Sequence, residues 1–270
     1  MTSKLLVAIT LCGSLATGQT KPPDQFEVVS VKPSESTDRR ALVQVLPGRL
    51  IMRNFTARGL MLFAFDVADY QVSGGPSWIN SDTYDLQATT TVTATTRQME
   101  GPMLQALLED RFRLTLHRET RQMPAYELTM ANRNGKLQPS KDDSCISRPE
   151  DAPPPPDAGP GAIFCGHPRM TSSGLNRMLD GAGISTAALA GYLSYWLVHK
   201  PVVNKTGLDG IFDIHMVWTA DPPNGVGDPD FSGGPTIFTA LREQLGLKLE
   251  SGTGPVEVLI IDRMEKPSPN

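Results

Sequence analysis

Two aspartates stand in matching surroundings, Tyr84-Asp85-Leu86 and Phe212-Asp213-Ile214. Two carboxylates held in one site can divide the work of general acid and general base. Each is also a polar residue between apolar neighbours on an alternating stretch, where a turn contact or a cross-strand ion pair is the simpler role, and that is the role expected. The four histidines, His117, His167, His199 and His215, lack the spacing of metal ligands. His117 and His215 fall on the polar faces of expected strands, where an imidazole is solvated. Cys145 and Cys165 pair most simply as a disulfide,. A metal site made of these two cysteines and His167 would lack a second close-spaced ligand pair. Trp78, in the turn Gly74-Gly75-Pro76-Ser77-Trp78, is the candidate binding residue, because an indole on a turn can anchor a ligand or partner,. The alternative for Trp78 is packing back on the core beside Tyr70.

Lys205-Thr206-Gly207 matches one of the triplets of penicillin-binding enzymes, but that chemistry also needs a Ser-x-x-Lys pair one helical turn apart, and the sequence has none. Ser81-Asp82-Thr83 misses the accompanying Ser-Asp-Asn by one residue. Gly-x-Ser-x-Gly, His-Glu-x-x-His and phosphate-cradling glycine loops are absent from the sequence as well,. Asp221, Asp228 and Asp230 lie in a Pro/Gly-rich stretch without the spacing of a calcium loop. The sequence therefore assigns no catalytic residue, no metal and no cofactor.

Residues 1–18 read as a secretory leader: Lys4 gives the positive start, residues 5–15 are apolar but too short for a bilayer, and Ala16-Thr17-Gly18 offers a small-residue cleavage site,. Cys12 lies in that leader. No later segment reaches the ~20 apolar residues of a membrane helix. The expectation is a protein exported to the periplasm or beyond, in a compartment where Cys145 and Cys165 oxidise. The net charge of −4 lacks a basic cluster, which argues against nucleic acid or anionic lipid as partner. With 39% apolar and 20% charged residues the chain has the makings of a folded core,.

The elements that must position these residues occur in similar order twice. A hairpin over 41–55 turns at Pro47-Gly48. Thr56 then caps a helix with the stripe Leu60, Phe63, Ala64 and Val67. A short strand at 70–72 and a strand with Tyr84, Leu86 and Ala88 on one face follow. Thr95 and Gln98 have capping-box spacing before a helix carrying Met99, Met103, Ala106 and Leu107, with Pro102 marking a start or a kink. Residues 111–119 and 123–130 read as an antiparallel pair. In the second copy Ser185 caps a helix with the stripe Leu189, Tyr192, Leu193, Trp196 and Leu197, stopped by Pro201, and 211–218 alternates as a strand. Thr56 and Ser185 are 129 positions apart, Asp85 and Asp213 128, Pro124 and Pro255 131. The reading is an internally duplicated α+β fold with mainly antiparallel sheets, each half strand-helix-strand-strand-helix-strand-strand. The halves are 19–137 and 169–270, joined by a Pro-rich linker at 138–168 that the disulfide closes.

The segments FEVVSVKPS (26–34), YQVSGGPSWINSDTYDL (70–86), MLQALLEDRFRLTLHRET (103–120), KPVVNKTGLDGIFDIHMVW (200–218) and FTALREQLGLKLESGTGPVEVLIIDRMEKPSPN (238–270) resemble an uncharacterised family of secreted, soil-associated bacterial proteins expanded in acidobacteria. Related domains occur fused to metallopeptidase-type membrane sensor proteins, and the helix–strand–strand units are similar to interaction modules of secretins and transporters. The resemblance implies an extracytoplasmic binding or sensing module whose partner is a protein, a peptide or a cell-envelope ligand. The other classes open at this point are a secreted hydrolase and a structural envelope component.

Overall fold

The structure is a computed structural model that describes residues 25–36, 40–91, 93–132, 135–147, 158–159, 161–220 and 234–267. The expected leader, the run of prolines at 153–156 and Asp221, Asp228 and Asp230 lie outside the described residues.

Local chemistry sets most of the elements. Strands β1 (Val28–Pro33), β2 (Leu42–Leu46) and β3 (Arg49–Thr56) open the chain. Pro47-Gly48 turns the β2–β3 hairpin, with Gly48 at φ 67°, a left-handed conformation that glycine adopts without strain. Helix α1 (Ala57–Phe65) starts where the Thr56 hydroxyl accepts from Gly59 N at 2.9 Å, and it buries Ala57, Leu60, Met61 and Ala64. A 3₁₀ turn (Asp69–Gln71), β4 (Val72–Gly74), a second 3₁₀ turn (Ser77–Asn80) and β5 (Thr83–Thr89) come next. Short helix α2 (Thr96–Glu100) has the capping box of Thr95 and Gln98. Pro102 then begins α3 (Pro102–Arg111) at its first position, where the missing N–H leaves no bond unmade.

The later chain adds seven more strands and two helices among the described residues. β6 (Thr115–Met130), β7 (Gln138–Pro139), β8 (Arg169–Ser173) and β9 (Asn176–Ser185) lead to α4 (Thr186–Tyr192), whose cap is Ser185 Oγ accepting from Ala188 N at 3.1 Å. A π-helical extension (Leu193–Val198), β10 (Val202–Asn204), β11 (Ile211–Thr219), α5 (Ile237–Ala240) with its own π turn (Leu241–Leu245), and β12 (Leu247–Arg263) complete it.

Among the described residues three four-stranded sheets result, with orders β1-β5-β3-β2, β10-β6-β12-β4 and β7-β11-β9-β8. The outer two are antiparallel throughout. In the central sheet β6 and β12 pair antiparallel from Thr115↔Arg263 to Met130↔Leu247, while β4 and β10 add in parallel at opposite ends. The chain is thus mixed α and β with mostly antiparallel sheets.

One expectation fails here. Residues 115–130 form one strand, not a hairpin, and the partner of that strand is β12. The stretch Thr120-Arg121-Gln122 offers no glycine or asparagine to reverse the chain. Arg113, inside the expected strand 111–119, stands at φ 51° in the turn that ends α3. Pro124 and Pro255 sit inside the long strands at positions where no third strand pairs, the edge setting in which a strand tolerates proline.

The long strands exchange ends between two cores. The first core, around Leu50, Met52, Leu60, Leu86, Leu104 and Phe112, takes in Leu259, Ile261 and Met264 from the end of β12. The second, around Leu179, Ile184, Leu189, Ile214 and Leu241, takes in Leu128 from β6. The C-terminal segment is tied down on the first half by Glu265 N donating to Phe112 O at 2.7 Å and Lys266 Nζ donating to Asp82 Oδ2 at 2.6 Å.

The segment 138–168 is tied to the third sheet near both of its ends. Gln138–Pro139 pair with Phe212 and Asp213 of β11. Cys145 and Cys165 are joined by a disulfide, and Gly166 N donates to Ala182 O of β9 at 3.0 Å.

Candidate functional site: a cleft between the two halves

A cleft of about 1610 Å³ opens between the halves. One wall is the end of α1 with Phe63, Phe65 and Asp66, then Tyr70, and the α2–α3 junction with Glu100 and Pro102. The other is α4 with Tyr192, Tyr195 and Trp196, then β10 with Val202 and Val203. Residues 255–257 of β12 contribute Pro255, Val256 and Glu257 to the lining.

The tyrosine–tryptophan wall follows from how α4 ends. Leu189 and Leu193 face the second core. Tyr192, Tyr195 and Trp196 are spaced i, i+3, i+4 and share a neighbouring face. The π-helical turns from Leu193 widen the helix, and such bulges often mark functional positions. Trp196 is 57% exposed, which corrects its expected place in the buried stripe: the i→i+5 bonding changes the angular step and carries the indole out of the core face. Tyr195 and Trp196 meet edge-to-face at 4.8 Å, and Tyr192 lies 6.5 Å from Trp196.

Hydrogen bonds brace the cleft, one of them, Tyr70 to Ser194, from wall to wall. Ser194 Oγ donates to Lys200 O at 2.9 Å, which uses its only proton, so the Tyr70 hydroxyl donates to Ser194 Oγ at 2.5 Å. Gln71 Nε2 donates to Glu257 O at 3.1 Å, and Gln105 Nε2 to Ala64 O at 2.7 Å. Burial pushes the Glu100 carboxyl above the usual glutamate value, and raises both Tyr192 and Tyr195 phenols. Asp66 adds to the rise at Tyr195, so its charge is felt across the cleft. Glu257 is engaged by Arg118. Asp66 and Glu100 make no side-chain hydrogen bond or ion pair with another described residue.

The residues singled out in the sequence lie elsewhere. Trp78 is half-buried against the first core, edge-to-face with Tyr84 at 6.3 Å, with Lys266 Nζ 5.8 Å above its ring. Its expected neighbour, Tyr70, lines the cleft instead. Asp85 and Asp213 occupy different sheets and do one job in two ways. Each outer sheet has a register shift, at Met52/Phe55 and at Phe212/Ile214, next to a left-handed residue, Asn54 (φ 57°) or Gly183 (φ 69°). Asp85 Oδ1 accepts directly from Asn54 N at 2.9 Å. Asp213 Oδ1 accepts from Ser140 Oγ at 2.5 Å, and that oxygen accepts from Gly183 N at 2.7 Å.

The Lys205-Thr206-Gly207 triplet is a polar knot at the start of α4. Thr206 Oγ1 bonds Asn204 Oδ1 and Thr186 Oγ1, and Lys205 pairs with Glu127 at 2.7 Å. His167 contacts Cys165 O at 2.9 Å, His215 pairs with Asp180 at 2.6 Å, and His199 ends the π-helical turn at φ 48°. His117, between Asp262 at 2.9 Å and Glu119 at 3.1 Å, is raised above the usual imidazole value, mostly by the Asp262 bond. Among the described residues no three His, Cys, Asp or Glu side chains gather as metal ligands, and no helix is long and apolar enough to cross a membrane.

The signal for the cleft was present in the sequence as two adjacent stripes, Leu189/Leu193 and Tyr192/Tyr195/Trp196, which a single apolar face merges. Its other wall is more than a hundred residues away, and local periodicity carries nothing about it. Residues 58–264 match a family described as "Protein of unknown function (DUF3738)". No curated protein and no solved structure gives a significant match.

Proposed function

This chain belongs to the DUF3738 family, and on that footing we propose that it is an exported binding or sensing module, not a catalyst, with its ligand site in the cleft between the halves. The observation that carries the reading is the aromatic face of α4. Trp196 is held 57% exposed beside Tyr192 and Tyr195, and exposed aromatic rings are the usual anchors of binding surfaces. None of the four histidines is among the residues lining the cleft, and Asp85 and Asp213 are occupied by the two strand irregularities. The Cys145–Cys165 disulfide fits an oxidising compartment,, in line with the leader. The similarity to domains fused behind membrane sensors points the same way.

The scaffold under this site is an internal duplication. The outer sheets have parallel orders, β1-β5-β3-β2 and β7-β11-β9-β8, and β4 and β10 take equivalent places at opposite ends of the central ribbon. A cleft between repeats suits a binding role, since each repeat supplies one wall.

The test uses the chain from residue 19 onward, titrated with peptides and with cell-envelope fragments while tryptophan fluorescence and Tm are followed. Ligands of the cleft perturb the fluorescence, and Trp196→Ala removes their binding with Tm little changed. Equal binding by Trp196→Ala, or turnover across a panel of hydrolase substrates, sinks the reading.

A further inference from the structure

The size and charge of the cleft restrict what fits it. Small-molecule sites occupy about 300–1000 Å³, whereas this cleft measures about 1610 Å³ and is lined from several elements. That is room for a stretch of several residues. Its walls combine the rings of Phe63, Tyr70, Tyr192 and Trp196 with the charged side chains of Asp66, Arg97, Glu100 and Glu257, three acidic and one basic. Asp66 closes α1 in the left-handed conformation, so its charge adds to the negative end of that helix. Glu100 ends α2 beside the break at Gly101.

Among the described residues no ion pair engages Asp66 or Glu100, whereas Glu257 is paired with Arg118. Burial alone accounts for the raised proton affinity of Glu100, with no hydrogen bond or cation to offset it. A half-buried carboxylate in that condition costs stability, and the cost is removed when a cation enters. Aromatic faces next to carboxylates attract the same ligand, because the ring quadrupole also favours positive charge. An extended, proline-containing chain stacks on such rings with little loss of entropy, as in other aromatic-lined peptide grooves.

Resting on the cleft as the binding site, we propose that its occupant is an extended peptide segment carrying lysine or arginine, with Asp66 and Glu100 holding the cationic side chains and Tyr192, Tyr195 and Trp196 packing its apolar parts. Neutral polyhydroxyl chains would use the rings but not the charges, and acidic segments would be repelled.

The experiment titrates the chain from residue 19 onward with three probes at low and high salt, by calorimetry and tryptophan fluorescence. The probes are a capped decapeptide of alternating lysine and proline, its glutamate–proline counterpart, and chitohexaose. Two variants accompany the parent: Trp196→Ala and the double variant Asp66→Asn/Glu100→Gln. Asparagine tolerates the left-handed backbone of position 66, and glutamine keeps the shape at 100, so the double variant retains the fold, which circular dichroism and Tm verify. The expected result is saturable binding of the lysine–proline peptide, weakened by salt, at least about tenfold weaker in the double variant, with the glutamate–proline peptide not bound. Lysine–proline binding that the double variant leaves unchanged, or binding of chitohexaose in its place, overturns the cationic occupant. If such binding is still lost in Trp196→Ala, the cleft stands as a site and only its ligand class is wrong. If no probe binds, the cationic peptide is overturned, and if envelope fragments also bind Trp196→Ala as they bind the parent, the cleft fails with it.

Discussion

The two halves solve one problem at the irregular strand of their outer sheets with different chemistry. In the first, Asp85 of β5 reaches the left-handed Asn54 of β3 itself. In the second, Asp213 of β11 stands behind Ser140, and the serine hydroxyl meets Gly183 of β9. Glycine suits position 183 because its φ of 69° strains an L side chain, and a Cβ there would also crowd Cys165 Cβ at 3.3 Å. The first half therefore closes with its own strands, while the second is completed by the disulfide-bearing segment. Their helices differ in the same sense. Helix α1 ends cleanly at Asp66, whereas α4 widens into π-helical turns that present Tyr195 and Trp196. A shared frame tolerates such differences when the cores that depend on it are joined, as these are through β6 and β12.

That comparison breaks most visibly if the halves prove independent. Leu128→Ala and Leu259→Ala each remove a buried side chain that one half's long strand contributes to the other's core. Each is expected to cost about 2–5 kcal/mol and to lower a single cooperative transition, seen identically by fluorescence and far-UV circular dichroism in urea. Two separate transitions would show that the exchange of strand ends does not couple the halves. Next in size is the disulfide. Cys145→Ser/Cys165→Ser is expected to cost about 2–4 kcal/mol and to weaken the effect of a further Ser140→Ala, because the serine is positioned by the same segment. Full additivity of the two would separate the segment from the bulge.

The two ties themselves can be weighed against each other by chemical denaturation. Asp85→Ala leaves the Asn54 N–H without its carboxylate and is expected to cost about 1–3 kcal/mol. Ser140→Ala should fall in the same range if the relay is equivalent to the direct bond. Asp213→Ala should be the milder change, since the Ser140 oxygen can still accept from Gly183.

The smallest effect lies on the central ribbon. The bonds from His117 to Asp262 and Glu119 favour its protonated form. A raised imidazole pKa contributes stability that is fully present below the unfolded value, about 6.5, and is lost as pH rises through the folded value. The Tm should therefore decline slightly between pH 6 and 8, and His117→Gln should flatten that part of the profile. An unchanged slope in His117→Gln would assign it to other groups.

Much of the local structure was legible because it depends on neighbours in the chain. Thr56, Ser185 and the Thr95–Gln98 box are one-turn hydrogen bonds, so spacing alone reveals them. Tyr84, Leu86 and Ala88 alternate because a strand does. The similar flanking residues of Asp85 and Asp213 were visible in the sequence, but the atoms they bind were not, since Asn54 and Ser140 are distant in sequence. Residues 115–130 look like two strands to local alternation, and only the seventeen-residue partner β12 shows that they are one. Trp196 was misplaced because a helix of uniform 3.6 period was assumed across a π-helical turn.

The amino-acid sequence on its own determined the helix starts, the hairpin at Pro47-Gly48 and the pairing of Cys145 with Cys165, since each rests on chemistry within a few residues or on simple counting. Tertiary structure alone decided that β6 pairs with β12, that each core borrows the other half's strand, and that α1 and α4 face each other across a cleft. Those outcomes depend on which apolar faces meet when the whole chain collapses, and non-local burial leaves no local period to read.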